Sequence, residues 1–98
     1  MTELKKKIIV PCIHMNGTSE KDLSDAIEAA HYAIGVAFDA IKKTAPNGRD
    51  YYVYGSSETG RAMDEYYDRL KRLQSVQEEL EAIIGGIHDG EKEVTTGG

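Results

Sequence analysis

Apolar residues that recur at alternating spacings of four and three are the feature that most constrains the fold of this chain. One such series contains Leu23, Ile27, Ala30, Ile34, Ala37 and Ile41. Another contains Met63, Tyr66, Leu70, Leu73, Gln77, Leu80, Ile84 and Ile87. Heptad spacing of this kind places its members on one face of a helix. The sequence therefore predicts two long amphipathic helices, over residues 19–44 and 57–87.

Local signals predict the ends of the first helix. Ser19, followed three residues later by Asp22, resembles a capping box, and Thr18 is the alternative cap. Pro46 disfavours helical geometry at the residue before it, so the helix is expected to stop there. A second stripe of small residues on another part of this helix contains Ala26, Ala29, Ala33, Gly35 and Ala40. Two faces that can pack closely predict two neighbours for the helix.

The two ends of the chain differ in character. Residues 6–14 are rich in β-branched side chains and predict a strand, which Pro11 makes an edge or bulged strand because proline cannot donate to a ladder. Gly85 and Gly86 are expected to loosen the end of the second helix. Residues 88–98 have few side chains to bury and predict a flexible tail.

The connection between the helices, residues 45–56, is twelve residues long and reads A-P-N-G-R-D-Y-Y-V-Y-G-S. We expect a turn at Asn47-Gly48, then a short aromatic strand from Tyr51 to Tyr54. Connections of this length are often functional. The predicted architecture is α+β and mostly α: an N-terminal strand and a long antiparallel helical hairpin with an aromatic loop, in one domain over residues 1–87.

The small number of large apolar side chains predicts that copies of the chain assemble. Leu, Ile, Val and Phe together account for 20 of the 98 residues, and a hairpin about 40 Å long leaves apolar faces uncovered unless copies pair. Small domains without disulfides or metals often gain stability in this way. We therefore expect a homo-oligomer.

Charge and cysteine content limit the compartment and the partners. The formal net charge is −5, and Lys5, Lys6 and Lys7 form the only basic run, which argues against duplex nucleic acid as a partner. A small anionic ligand is compatible, since one or two arginines can hold a phosphate. The single Cys12 indicates a reducing compartment. With no apolar run of roughly 18–20 residues, we expect a cytoplasmic protein that does not bind membranes.

The first candidate motif is H-M-N-G-T at residues 14–18, between the predicted strand and helix. Free backbone N–H groups at the start of the helix favour an anion, and His14, Asn16, Gly17 and Thr18 are the candidate binding residues. The alternative is a plain Asn-Gly turn with Thr18 as cap, which leaves His14 unexplained.

The second candidate motif is P-N-G-R-D-Y-Y-V-Y at residues 46–54. An arginine offers a planar fork for phosphate, and tyrosine rings offer faces on which a base can stack. Alternatively, the tyrosines fill an interface, Arg49 pairs with Asp50, and Arg61 is a solvated arginine. The candidate binding residues are Asn47, Arg49, Asp50, Tyr51, Tyr52, Tyr54 and Arg61.

Catalytic and metal chemistry have weaker support. Cys12 and His14 would share one face of the predicted strand, as in a dyad or half of a metal site, but no third or fourth ligand has suitable spacing. His31 and His88 are interpreted as packing or solvent residues. The acidic residues Asp64, Glu65 and Asp68 are interpreted as favourable at the positive end of the second helix's dipole. The later run of Glu78, Glu79 and Glu81 is interpreted as a solvent-exposed face. We expect no enzyme activity, no cofactor and no metal site.

The two motifs as a pair, followed by A-M-D-E-Y-Y-D-R-L at residues 62–70, resemble a family of short proteins encoded by phages and prophages. The resemblance covers roughly His14 to Ile84. By analogy of class, proteins of this family are similar in size and oligomeric build to small viral counter-defence proteins. Those proteins sequester cyclic nucleotide or cyclic ADP-ribose signals of bacterial immunity of the Thoeris or CBASS kind.

This resemblance implies a protein that binds a nucleotide immune signal without reacting, with sites formed between protomers. His14, Asn16 and the helix start at Thr18 would meet one part of the ligand, Arg49 a phosphate, and a tyrosine the base. The alternative is a homo-oligomeric adaptor whose loop aromatics bind a host or phage protein. A small hydrolase with His14 as base is the third hypothesis.

Overall fold

The computed structural model describes residues 6–96, apart from the side chain of Ser56. Strand β1 spans Lys6–Ile9, helix α1 Glu20–Lys42, helix α2 Gly48–Tyr51, a 3-10 turn Tyr52–Tyr54, helix α3 Ser56–Asp89 and strand β2 Glu93–Thr96. The chain is α+β and mostly α, as predicted. Residues 1–5 and 97–98, which include Lys5 of the basic run, lie outside the described part. Over residues 6–96, none of the helices combines the length and apolarity that crossing a membrane requires.

Helices α1 and α3 form an antiparallel hairpin. Polar contacts that join them include Tyr66 Oη to the Lys42 carbonyl (3.4 Å), Gln77 Nε2 to the His31 carbonyl (3.4 Å) and His88 Nδ1 to Glu20 Oε2 (3.7 Å). One residue number falls as the other rises along these contacts, so the helices run in opposite directions. The Ser19 hydroxyl accepts a hydrogen bond from the Asp22 amide at 3.1 Å and caps α1.

The predicted inner face of α3 is confirmed, because all eight members of its apolar series are buried or half-buried. The prediction for α1 is partly wrong. Ala30 and Ala37 are exposed, whereas His31 and Phe38 lie half-buried between the helices. The series through Ile27, His31, Ile34, Phe38 and Ile41 has the same alternating spacing as the predicted one. Spacing alone cannot distinguish this series from the predicted one. The larger side chains of His31 and Phe38 fill the space beside α3.

Strands β1 and β2 pair antiparallel, with Ile8 opposite Val94. The predicted strand 6–14 is therefore too long: pairing stops at Ile9, and Val10 continues with one hydrogen bond from its amide to the Lys92 carbonyl (2.9 Å). At the other end of β1, Lys6 Nζ lies 2.9 Å from Glu79 Oε2 of α3. The interpretation of residues 88–98 as a flexible tail is wrong for the described residues 88–96, since α3 continues to Asp89 and residues 93–96 form β2.

Gly86 packs against the two-stranded sheet. A Cβ atom at residue 86 would lie 2.6 Å from Val10 Cγ2 and 2.9 Å from Val94 Cγ1. The expectation that glycine loosens the helix here is wrong. Gly86 is buried inside a continuous helix and allows the sheet to approach the α3 backbone. The helix ends at Gly90, whose φ of 70° is left-handed.

The aromatic segment between the helices is helical. The predicted short strand at residues 51–54 is wrong: α2 occupies residues 48–51 and the 3-10 turn residues 52–54. Asn47 Oδ1 accepts a hydrogen bond from the Arg49 amide at 2.9 Å and caps α2. Within residues 6–96 the strands β1 and β2 pair with each other and none pairs with this stretch, so local hydrogen bonds satisfy its backbone instead. Gly55, with φ of 116°, then leads into α3.

The hairpin encloses a small core. Within residues 6–96 the buried apolar residues are Val10, Ala62, Tyr66 and Ile87, and α1 contains no buried residue. The radius of gyration is 18.3 Å, compared with about 13 Å for a compact domain of this length. An elongated plate with so little enclosed volume leaves most of α1 in contact with solvent.

Candidate functional site

The two candidate motifs lie at opposite ends of α1. Residues 14–18 precede its first residue, Glu20, and residues 46–54 follow its last residue, Lys42. At a rise of about 1.5 Å per residue, the 23 residues of α1 separate the motifs by roughly 33 Å. The structure of one chain therefore does not bring the predicted site residues together.

The first motif forms a tight turn in which His14 covers Gly17. The Gly17 amide donates a hydrogen bond to the His14 carbonyl at 3.1 Å. A Cβ at residue 17 would lie 2.8 Å from His14 Nε2, so the imidazole sits on the bare glycine backbone. This contact gives His14 a structural role that capping does not explain.

The helix start beside this turn is partly satisfied by the chain itself. Ser19, and not Thr18, is the cap, and Glu20 and Asp22 lie in the first turn of α1. These carboxylates already interact favourably with the positive end of the helix dipole. Asn16 and Thr18 are exposed. The polar side chains of the turn are therefore the groups available to a ligand.

Arg49 is held by the residue that caps its own helix. Asn47 Oδ1 lies 2.9 Å from the Arg49 amide and 3.4 Å from its Nε. Arg49 and Asp50 are both exposed, and the ion pairs formed within residues 6–96 do not include one between them. The terminal guanidinium nitrogens of Arg49 therefore face solvent without a carboxylate partner in the described chain.

The tyrosines of the second motif divide into two groups. Tyr51 is half-buried, whereas Tyr52 and Tyr54 are each 72% exposed and Val53 is 70% exposed. Aromatic rings with this exposure have faces free to stack on a partner. Tyr52, Val53 and Tyr54, which we call the aromatic patch, are thus three consecutive exposed side chains around a 3-10 turn at the end of the hairpin.

A cavity of about 150 Å³ lies beside this patch. It is lined by Tyr51, Tyr54, Glu58, Arg61, Ala62 and Glu65. Arg61 Nη1 lies 3.3 Å from Glu58 Oε2, so its charge is already balanced. Pockets for ligands of drug size usually measure roughly 300–1,000 Å³. A single chain therefore provides only part of a nucleotide site here.

Models of protein families, curated proteins and solved structures give no match to this chain. The similarity of the paired motifs to a phage family therefore stays a prediction.

A larger groove, of about 840 Å³, lies at the same end of the hairpin as the His14–Thr18 turn. It is lined by residues 9–13, Glu20 and residues 87–92. Sequence reasoning missed this groove because it exists only once β2 pairs with β1. Cys12 is exposed at its edge, with Sγ 3.9 Å from the Ile13 carbonyl, while the His14 ring is turned onto Gly17.

His31 and His88 each lie within 4 Å of a carboxylate across the α1–α3 contact. The half-buried His31 places Nε2 3.2 Å from Glu81 Oε1 at the α1–α3 contact, without the alignment of a hydrogen bond. In the part of the chain that the structure describes, no three His, Cys, Asp or Glu side chains cluster closely enough to hold a metal ion.

Proposed function

We propose that this protein binds and sequesters an anionic nucleotide signal, of the cyclic oligonucleotide or cyclic ADP-ribose class, and so counteracts host defence against phages. The protein holds the signal without converting it. The observation that supports the proposal is that Arg49, which has no carboxylate partner within residues 6–96, lies a few residues from the exposed rings of Tyr52 and Tyr54.

The chemistry of these groups matches the parts of a nucleotide. The Arg49 guanidinium can donate two parallel hydrogen bonds to a phosphate, and Asn47 restrains it before the ligand arrives. The tyrosine faces can stack on a base, which contributes about 1–3 kcal/mol per base. Asp50 can accept hydrogen bonds from ribose hydroxyls or base N–H groups.

A thermal-shift panel tests the proposal directly. Cyclic dinucleotides, cyclic trinucleotides and ADP-ribose derivatives are added to the protein, and one class should raise the melting temperature by several degrees. Recovery of unaltered ligand after denaturing the complex separates sequestration from catalysis. If none of these compounds shifts the melting temperature, the proposed function is wrong.

Substitution of the arginine makes the test specific. Arg49→Ala should abolish the shift in melting temperature and leave the oligomeric state unchanged. Arg69→Ala removes an exposed arginine from α3 and should leave the shift intact. Binding that survives Arg49→Ala would show that Arg49 does not hold the phosphate.

A second function is favoured by the same exposed patch. Tyr52, Val53 and Tyr54 are each at least 70% exposed, and clustered aromatic residues are typical anchors of protein interfaces. The alternative is therefore an adaptor that binds a host or phage protein through this patch. A partner that is retained by the native chain and lost in Tyr52→Ala, with no nucleotide shift, would favour the adaptor.

A further inference from the structure

One face of α1 has no partner within residues 6–96. Its exposed residues at alternating spacings of four and three are Ala26, Ala30, Ala33, Ala37 and Ala40, which we call the alanine face; Ala29 and Val36 flank it. No charged residue lies among the five. The neighbouring series through Ile27 and Phe38 is the one that meets α3. Helix α1 thus carries two heptad series, of which only one is covered.

The exposed area of the chain is larger than that of a compact monomer and is enough to include a subunit contact. The accessible surface is 7385 Å², roughly 1,800 Å² more than the about 5,500 Å² expected for a compact monomer of this mass. A standard interface covers about 800 Å² on each partner. A second chain on one face can therefore account for somewhat less than half of this excess.

We infer that the alanine face is covered by the same face of a second copy, with the two α1 helices antiparallel about a two-fold axis at Ala33. Ala33 is the middle member of the series. A two-fold axis there places Ala26 beside Ala40 of the partner subunit and Ala30 near Ala37 of the partner subunit. Small side chains at every such position allow the two helices to approach closely.

The charges on α1 favour the antiparallel direction. Its N-terminal half carries four carboxylates and one lysine, at Glu20, Asp22, Asp25, Glu28 and Lys21. Its C-terminal end carries Lys42 and Lys43 with one carboxylate, Asp39. At about 100° per residue, Asp22 and Asp25 flank the alanine face on the same side as Lys43, whereas Glu20, Glu28 and Lys42 lie away from it. Antiparallel pairing sets Asp22 and Asp25 of one chain near Lys43 of the partner subunit, and it also opposes the two helix dipoles. Parallel pairing would set the acidic halves against each other.

The same register completes the candidate site. An axis at residue 33 sets the start of α1 in one chain beside the end of α1 in the other, so the His14–Thr18 turn of one chain lies at the same end of the dimer as the Arg49 loop of the partner subunit. The exposed Met15, 96% accessible in one chain, comes to the same place as the aromatic patch. The interface does not depend on the proposed function, whereas the ligand of this composite site does.

The first test is the mass in solution. Light scattering at micromolar concentration should give at least twice the 10.8 kDa of one chain. Ala33→Arg sets two like charges at the axis and should halve the mass, with helical circular dichroism retained. Ser75→Arg makes an equivalent change at an exposed position of α3 and should have no effect. A monomeric native protein, or an Ala33→Arg variant of unchanged mass, overturns the interface.

Cysteine cross-linking tests the direction of the helices. In a Cys12→Ser background, Ala26→Cys and Ala40→Cys chains are mixed and oxidised. Antiparallel packing should give the mixed disulfide as the main product, because these residues lie side by side only in that arrangement. Dimers of Ala26→Cys with itself as the main product would show parallel packing and overturn the inference.

Complementation tests the composite site with a ligand that shifts the native protein. Asn16→Ala and Arg49→Ala chains are each expected to lose binding. Unfolding and refolding them together should restore about a quarter of the native sites, because one site of each mixed dimer is intact. No restoration would overturn the composite site. Dimers of the correct register that bind no nucleotide would overturn the proposed function and leave the interface standing.

Discussion

The side-chain amide of Gln77 on α3 donates a hydrogen bond to the backbone carbonyl of His31 on α1, at 3.4 Å. A Cβ at Gly35 would lie 3.3 Å from the same amide, so α1 presents its glycine where the amide packs. The one amide in an otherwise apolar or aromatic series is thereby accommodated between the helices.

Removing this amide should destabilise the hairpin. Gln77→Ala is expected to lower the free energy of unfolding by about 1 kcal/mol, since a hydrogen bond and its packing are lost. Gln74→Ala, three residues earlier and exposed, should change it by less than about 0.5 kcal/mol. Urea denaturation of both variants measures the difference. Equal effects would show that the contact with His31 contributes nothing.

The adjacent glycines of α3 should respond in opposite directions to alanine. Gly86→Ala forces a methyl group against Val10 and Val94, which should cost about 1–3 kcal/mol. Gly85→Ala places its methyl group in open space within the helix and should gain about 0.5–1 kcal/mol from better helix propensity. Chemical denaturation of the pair tests the packing of the sheet on α3. A stabilising Gly86→Ala would contradict it.

Gly17→Ala should move the His14 ring without unfolding the protein. The new methyl group would meet Nε2 at 2.8 Å, but His14 is exposed, so its ring can rotate away at a cost below about 0.5 kcal/mol. The imidazole proton resonances of His14 should shift in NMR spectra. Gly60→Ala, which meets no atom within 4 Å and lies at an exposed position of α3, is the control and should leave those resonances unchanged. Unshifted resonances in Gly17→Ala would show that the ring does not rest on Gly17.

The C-terminal strand should contribute to stability. A chain that ends at Gly90 loses β2 and the carbonyl that accepts the Val10 amide, so Val10 becomes exposed. We expect a loss of about 1–2 kcal/mol and rapid hydrogen exchange at Val10. Lys92→Ala keeps the backbone carbonyl and should retain the slow exchange. A truncated chain of native stability would mean that β2 does not hold the sheet on α3.

Most of the helical structure could be predicted because its signals are local. The Ser19 cap, the stop before Pro46 and the inner face of α3 each depend on residues a few positions apart, where spacing and capping chemistry act directly. The candidate residues could also be named from their chemistry. That the two motifs stand at opposite ends of α1 follows from the helix length, and the prediction of sites between chains is consistent with it.

The sequence by itself therefore determined two amphipathic helices, their approximate ends and the α3 face that packs inward. Only the tertiary structure decided which of two equally spaced series on α1 meets α3, because side-chain volume, and not spacing, selects His31 and Phe38 over Ala30 and Ala37. It also decided that residues 93–96 pair with β1. That pairing joins segments far apart in the chain, so no local pattern specifies it.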